Sequence, residues 1–180
     1  MSAVPGRILL ASGDIVAALA DAVDPRYRAL VLLLRYSGLR WGEAVALRRR
    51  RCFVAEGSIE VAEVGVEGGG AVKFRLLGPK EYGWVSVRNS VRDALAEHLA
   101  RFVGEARSSL VFTDESGRAL MVGRFEREVW RPALRAVGLP VEDTGVDTLG
   151  TAQLWEAVHE ATAQRAELRA GGLRGGGAGA

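Results

Sequence analysis

The sequence predicts an α+β fold, mainly α, with a small three-stranded antiparallel sheet. Three observations predict it. Apolar residues recur at helical spacing over 15–23, 25–36, 91–102 and 122–137. Residues 58–87 change to a strand-like pattern, rich in Val and Ile with interleaved Glu. Gly and Pro mark the joints: Gly38, Gly68-Gly69-Gly70, Gly78-Pro79, and Gly138 with Pro140.

Taken in order, Ser12 can cap a helix that runs to about Val23, with Ile15, Leu19 and Val23 on one face. Asp24-Pro25 is a second start signal, with Pro at the first helical position. The helix from Pro25 to about Tyr36 is apolar nearly all round (Leu30, Val31, Leu32, Leu33, Leu34), so it should lie at the centre of the core. Gly38 ends it, and a short helix is expected from Trp41 or Gly42 to about Arg49. Three strands are expected at 58–66, 71–77 and 84–87. Ser90 should cap a helix with Val91, Leu95, Leu99 and Phe102 on one face, and His98 should lie at its surface or boundary. Leu110-Val111-Phe112 reads as a short buried extended piece before the turn Asp114-Glu115-Ser116-Gly117. A helix over 122–137 follows, in which Pro132 loses a hydrogen bond and should bend the axis. Residues 151–170 can form one more amphipathic helix, and the Gly/Ala-rich end, 171–180, reads as a disordered tail.

Composition removes several classes. With 48% hydrophobic and 26% charged residues the chain is an ordinary folded protein. Its longest apolar runs, such as 29–34, are far too short to cross a bilayer, so no membrane partner is expected. The first residues lack a charged segment followed by an apolar one, so the cytoplasm is the expected location. Cys52 is the only cysteine, which excludes an internal disulfide and a thiolate metal cage. His98 and His159 are the only histidines, so no multi-histidine metal site exists, and no phosphate-loop motif is present. No cofactor is expected.

Charge is unevenly placed. Residues 25–51 carry eight Arg and one acid, Glu43, whereas 52–72 carry four Glu and no base. A basic patch can recruit an anionic partner. A solvated helix with Arg near its C-terminus explains the same run, and on charge alone that reading comes first. The cluster Arg48, Arg49, Arg50 and Arg51 is accordingly a candidate DNA contact. Of 24 basic residues only Lys73 and Lys80 are Lys.

One stretch is more specific. Tyr36-Ser37-Gly38-Leu39-Arg40-Trp41-Gly42-Glu43 closes a buried helix and opens another. Arg40 stands at the junction, where a rigid guanidinium can clamp a phosphate. Glu43, three residues on, can reach back to that guanidinium or to the turn backbone, and a purely structural Arg–Glu pair would look the same.

The Gly-Leu-Arg-Trp-Gly-Glu stretch resembles the first active-site box of the phage integrases, members of the tyrosine recombinase family. The likeness extends in order over about residues 8–140. Residues 17–34 resemble the two opening helices of the catalytic domain. Gly78-Pro79-Lys80-Glu81-Tyr82 followed by Val85-Ser86-Val87 resembles the hairpin of actinobacterial-type integrases, and Leu110-Val111-Phe112-Thr113 through Gly138-Leu139-Pro140 resembles the segment before the second box. The resemblance implies DNA binding, DNA integration and DNA recombination, with double-stranded DNA as partner. In that family a Tyr hydroxyl attacks a phosphodiester and forms a phosphotyrosine link without a metal. It implies that Arg40 contacts the scissile phosphate, that Glu43 supports it, and that Lys80 is the general acid for the leaving oxygen.

Beyond 140 the likeness breaks. Asp147 stands where the family has His, and Gly150 where it has a second Arg. The last of the three tyrosines is Tyr82, in the hairpin, so no nucleophile follows. Only about seven residues precede the match, where family integrases carry another DNA-clamping domain. The chain therefore reads as a partial integrase catalytic domain over 8–140, a divergent helical segment over 141–170, and a tail that fits GC-rich DNA read out of frame. It should not cleave DNA alone. The alternative is a non-catalytic module that binds DNA or pairs with an intact recombinase. A third expectation is that missing C-terminal helices leave Leu30–Leu34 and Phe125–Trp130 exposed.

Overall fold

The computed structural model describes residues 14–139. Ser12, the helix expected over 151–170 and the Gly-rich tail lie outside them.

The core is laid down by two antiparallel-type helices joined by a capped turn. Helix α1 is Asp14–Ala22 and α2 is Pro25–Ser37. Asp24 caps α2 as expected: its Oδ1 accepts the Arg26 N–H at 2.8 Å, and Pro25 occupies the first turn. Gly38, with φ +72°, closes α2 in the left-handed region. Ala29 through Leu34 are all buried, because α2 packs against α1 on one side and against two later helices on others. Leu30–Leu34, Phe125 and Trp130 are thus covered, and the exposure expected there does not occur.

Helix α3 is only Trp41–Val45, shorter than the expected run to Arg49. Tertiary pairing takes over. The Val111 N–H donates to Leu47 O at 2.9 Å, and Arg49 N–H to Ser109 O at 2.9 Å, so residues 47–50 lie along the 107–111 segment. A 3-10 turn at Arg49–Arg51 then leads into β1, Cys52–Phe53.

The sheet region holds more, and shorter, strands than the sequence predicts. These are β2 Ser58–Val61, β3 Glu63–Gly68, β4 Ala71–Leu76 and β5 Gly83–Ser86. The three-stranded antiparallel sheet is β1-β2-β5, and β3-β4 form a separate antiparallel hairpin. The expected single strand over 58–66 breaks at Ala62, whose carbonyl accepts the Leu77 N–H at 2.9 Å. Glu63 keeps the inward side of the buried Ile59 and Val61, four and two residues before it, and there meets three arginines.

Helix α4, Asn89–Arg101, starts one residue before Ser90, and no side chain caps its start. His98 is buried in it, not at its surface. The last helix spans Val122–Phe125 (α5), a π-helical turn at Glu126–Trp130, and Arg131–Ala136 (α6). The Arg131 N–H donates back five residues to Glu126 O, the widened turn lying just ahead of Pro132, which has no N–H to give. The adjustment expected at Pro132 takes this form. Gly138, φ +75°, ends the helix: its N–H reaches Arg135 O at 3.0 Å and the Leu139 N–H reaches Leu134 O at 2.8 Å, a Schellman closure.

Candidate functional site

Arg40 owes its position to its neighbours. Ser37 Oγ donates to Leu33 O at 2.6 Å and accepts the Leu39 N–H at 3.3 Å, which fixes the turn after α2. Leu39 and Trp41, on either side of Arg40, are buried. The Trp41 ring lies 5.1 Å from Phe125, which meets Tyr27 edge-on at 5.3 Å. Glu43 reaches back to the backbone, not to the guanidinium: its Oε2 accepts the Arg40 N–H at 2.9 Å. Of the two partners the sequence offered Glu43, the structure selects the turn. The Arg40 side chain is exposed, and among the described residues no ion pair neutralises it.

Gly42 explains why α3 sits where it does. A Cβ there would lie 2.6 Å from Gly65 O and 2.9 Å from a Val64 methyl. The start of α3 therefore presses directly on β3, glycine against glycine.

The facing hairpin brings further cations. In the β3-β4 register Val64 pairs with Arg75 and Val66 with Lys73. Arg75 and Lys73 therefore share the face of Val64, whose methyl lies against Gly42. Both are exposed. Arg75 grips Glu81 with two nitrogens, at 3.1 and 3.4 Å, and Glu81 Oε2 also accepts the Gly78 N–H at 3.2 Å. The Arg75 guanidinium, above all, holds the Glu81 carboxyl below its usual range; the Gly78 amide and the charge of Arg40 add to this. Lys80 lies exposed in the same turn, which closes through Glu81 N–H and Tyr82 N–H on Gly78 O at 2.9 and 3.0 Å. Arg75, Glu81 and the turn that carries Lys80 thus form one neighbourhood, on which the charge of Arg40 also acts. Arg75 and Lys73 were missed in the sequence; the signal was two cations at strand spacing in Ala71–Leu76, opposite the Arg40 helix.

Arg48 to Arg51 are placed otherwise. Arg48 pairs with Glu63 at 3.1 Å, donates to Ser108 O at 3.2 Å and stacks on Phe74 at 4.6 Å. Arg49 donates to Leu99 O at 2.9 Å and Val103 O at 3.4 Å, closing the end of α4. Arg50 meets Glu63 at 3.4 Å, and Arg51 meets Glu60 at 2.6 Å and Glu63 at 3.9 Å. Glu60 and Glu63 thus engage Arg48, Arg50 and Arg51, and two carbonyls engage Arg49, while Arg50 stays exposed. Tyr82 O–H also donates to Glu60, at 2.5 Å, and with Arg51 this lowers the Glu60 carboxyl.

Other chemistry is sparse. Cys52 is enclosed, and burial pushes its thiol up to about 12. The His98 ring lies between Phe102 and Phe112, with Nε2 2.7 Å from Val111 O and Nδ1 without a partner. A cleft of about 860 Å³ lies among Asp24, Tyr27, Asp114, Arg124 and Glu128. Carboxylates outnumber guanidinia on its walls, and none of Arg40, Lys73, Arg75 or Lys80 lines it, so it does not suit phosphate. Among the described residues no three His, Cys, Asp or Glu side chains gather where they could hold a metal ion, and no helix is long and apolar enough to cross a membrane.

This arrangement of helices around a small antiparallel sheet is the fold of the DNA site-specific recombinases and integrases. Among solved structures, the chain is similar to a XerA recombinase, with TM-score 0.58 and 19% identity over 86% of this chain and 50% of that one. A Tn1549 transposon integrase in complex with a circular intermediate DNA gives TM-score 0.62 and 12% identity, over 89% of this chain and 54% of that one. A XerH site-specific recombinase bound to its difH substrate gives TM-score 0.52 and 20% identity, over 82% of this chain and 42% of that one. The chain spans about half the length of the solved structures it matches. At these identities the likeness establishes the fold. No protein-family model and no curated protein matches the chain.

Proposed function

We propose that the chain binds double-stranded DNA as the arginine-bearing part of a recombinase-type catalytic domain, and that it does not cleave DNA by itself. The observation that carries this is the state of Arg40. Its backbone is fixed by Gly38, Ser37 and Glu43, while its guanidinium is exposed and unneutralised among the described residues. A preset cation at the head of a helix is what electrostatic stabilisation of a phosphate requires. The bound DNA in the XerH and Tn1549 structures supports the choice of ligand. The hairpin motif around Lys80 ranks the chain with the actinobacterial-type integrases.

In this reading Arg40 holds a phosphodiester oxygen, Glu43 stiffens the turn beneath it, and Lys80 is the proton donor inherited from the parent reaction. Arg48, Arg49, Arg50 and Arg51 are structural. Cleavage fails for want of a nucleophile, because no Tyr follows Tyr82 in this chain. The partial domain at 8–140 is the working unit, and the cytoplasm is where it meets DNA.

A nicked duplex that traps covalent intermediates tests both halves. The expected result is a mobility shift on native gels and no adduct after denaturation. A covalent adduct refutes the inactivity, and the absence of any complex at low salt refutes the binding.

A second reading has its own observation. Leu76 in β4 and Trp84 in β5 are 70% and 56% exposed, which suits a protein partner such as an intact recombinase. Co-sedimentation with such an enzyme in the absence of DNA distinguishes it.

A further inference from the structure

The Arg75–Glu81 pair sets a carboxylate against one cation of the proposed phosphate face, and the charge of a second, Arg40, also acts on it. Glu81 accepts from two nitrogens of Arg75, as a phosphate would accept from a guanidinium fork. Its other support is a backbone N–H, from Gly78, again a common phosphate donor. The Arg40 charge acts on the same carboxylate. The pair is about half exposed on both sides, 55% and 52%, so water screens it and it holds weakly. Glu63, by contrast, holds its arginines from a buried position.

We propose that Arg75 and the Gly78 amide form an anion site for a phosphate group, with the charge of Arg40 nearby, and that Glu81 occupies it as an internal stand-in until phosphate displaces it. Arg75 is then a phosphate ligand beside Arg40. Glu81 tunes affinity: it offsets the Arg75 charge when the site is empty and is exchanged on binding. Lys73, two residues along the same face, extends the cationic surface without an internal partner among the described residues. For a nucleic-acid phosphate the inference rests on the DNA-binding reading above; for free phosphate it does not.

The test uses the full chain in four forms: wild type, Glu81→Gln, Glu81→Gln with Arg75→Gln, and Glu56→Gln as a control for lost negative charge. Glu56 is exposed in the turn between β1 and β2 and makes no ion pair among the described residues. Inorganic phosphate is titrated while the Arg Hε resonances are followed by NMR. Glu81→Gln should show saturable shifts of Arg75 and Arg40 with a Kd about three- to fivefold lower than wild type, the span set by one exposed ion pair. Glu56→Gln should behave as wild type, and Arg75→Gln should abolish the gain. A Kd for Glu81→Gln within experimental error of wild type, or an equal gain from Glu56→Gln, overturns the inference.

A labelled duplex is then titrated by anisotropy. A gain for Glu81→Gln that Arg75→Gln cancels extends the site to DNA. If phosphate shows the gain but no form binds duplex, the site serves free phosphate and the DNA reading fails. If duplex binds and neither probe responds to Glu81→Gln, the DNA reading stands and this one falls.

Discussion

Glu63 is 9% exposed and faces Arg48, Arg50 and Arg51, so three guanidinia share one buried carboxylate. Glu63→Gln leaves Arg48 and Arg50 without their carboxylate in a partly buried place, while Arg51 keeps Glu60. It should destabilise the fold by about 3 kcal/mol, read as a lower urea midpoint at constant slope. Arg28→Ala, which breaks the exposed pair with Asp21, should cost under about 1 kcal/mol. His98 adds a pH dependence. Burial, before any other cause, lowers its pKa from the ordinary value of 6.5, so the folded chain holds it neutral. Its contribution is complete above about pH 6.5 and is lost as pH falls through the depressed folded value, because the unfolded chain binds the proton first. The carboxylates with lowered pKa, Glu60, Glu81 and Asp114, act only further into acid. Urea midpoints from pH 7.5 to 5 should therefore fall in the wild type and fall less in His98→Leu; parallel curves would contradict this.

At the scale of elements, local chemistry was legible and tertiary chemistry was not. Asp24-Pro25, Gly38 and Gly138 could be read because a cap needs only its own few residues. The buried α2 could be read because its apolar residues surround the helix. The shortness of α3, the break at Ala62 and the capping of α4 by Arg49 could not, since each depends on a partner tens of residues away. For the same reason Arg48 to Arg51 looked like a surface patch: Glu60 and Glu63 were visible as an acidic run but not as their partners. In the candidate site, Arg40 and Lys80 stood out through motif, whereas Arg75 needed the hairpin register. Two predictions belong here. Gly42→Ala forces a methyl to 2.6 Å from Gly65 O and should cost about 1–3 kcal/mol by overpacking, measured by thermal unfolding. Arg49→Ala removes a charged donor from Leu99 and Val103 carbonyls and should cost about 1.5–3 kcal/mol while duplex binding is unchanged.

For the whole molecule, the fold organises charge by depth. Arg48, Arg49 and Arg51 are engaged in partly buried contacts, while Arg40, Lys73, Arg75 and Lys80 remain exposed at the start of α3, on β4 and in the turn after it. Net charge says nothing of this, being only +2. The central claim is that this exposed set, through Arg40, meets DNA phosphate. It is tested most directly by the salt dependence of duplex binding in wild type and Arg40→Gln. Loss of one phosphate contact should weaken binding at every salt concentration and reduce the slope of log K against log salt by about 1. An Arg40→Gln line that overlies the wild-type line, in a chain that still binds duplex, would contradict the claim.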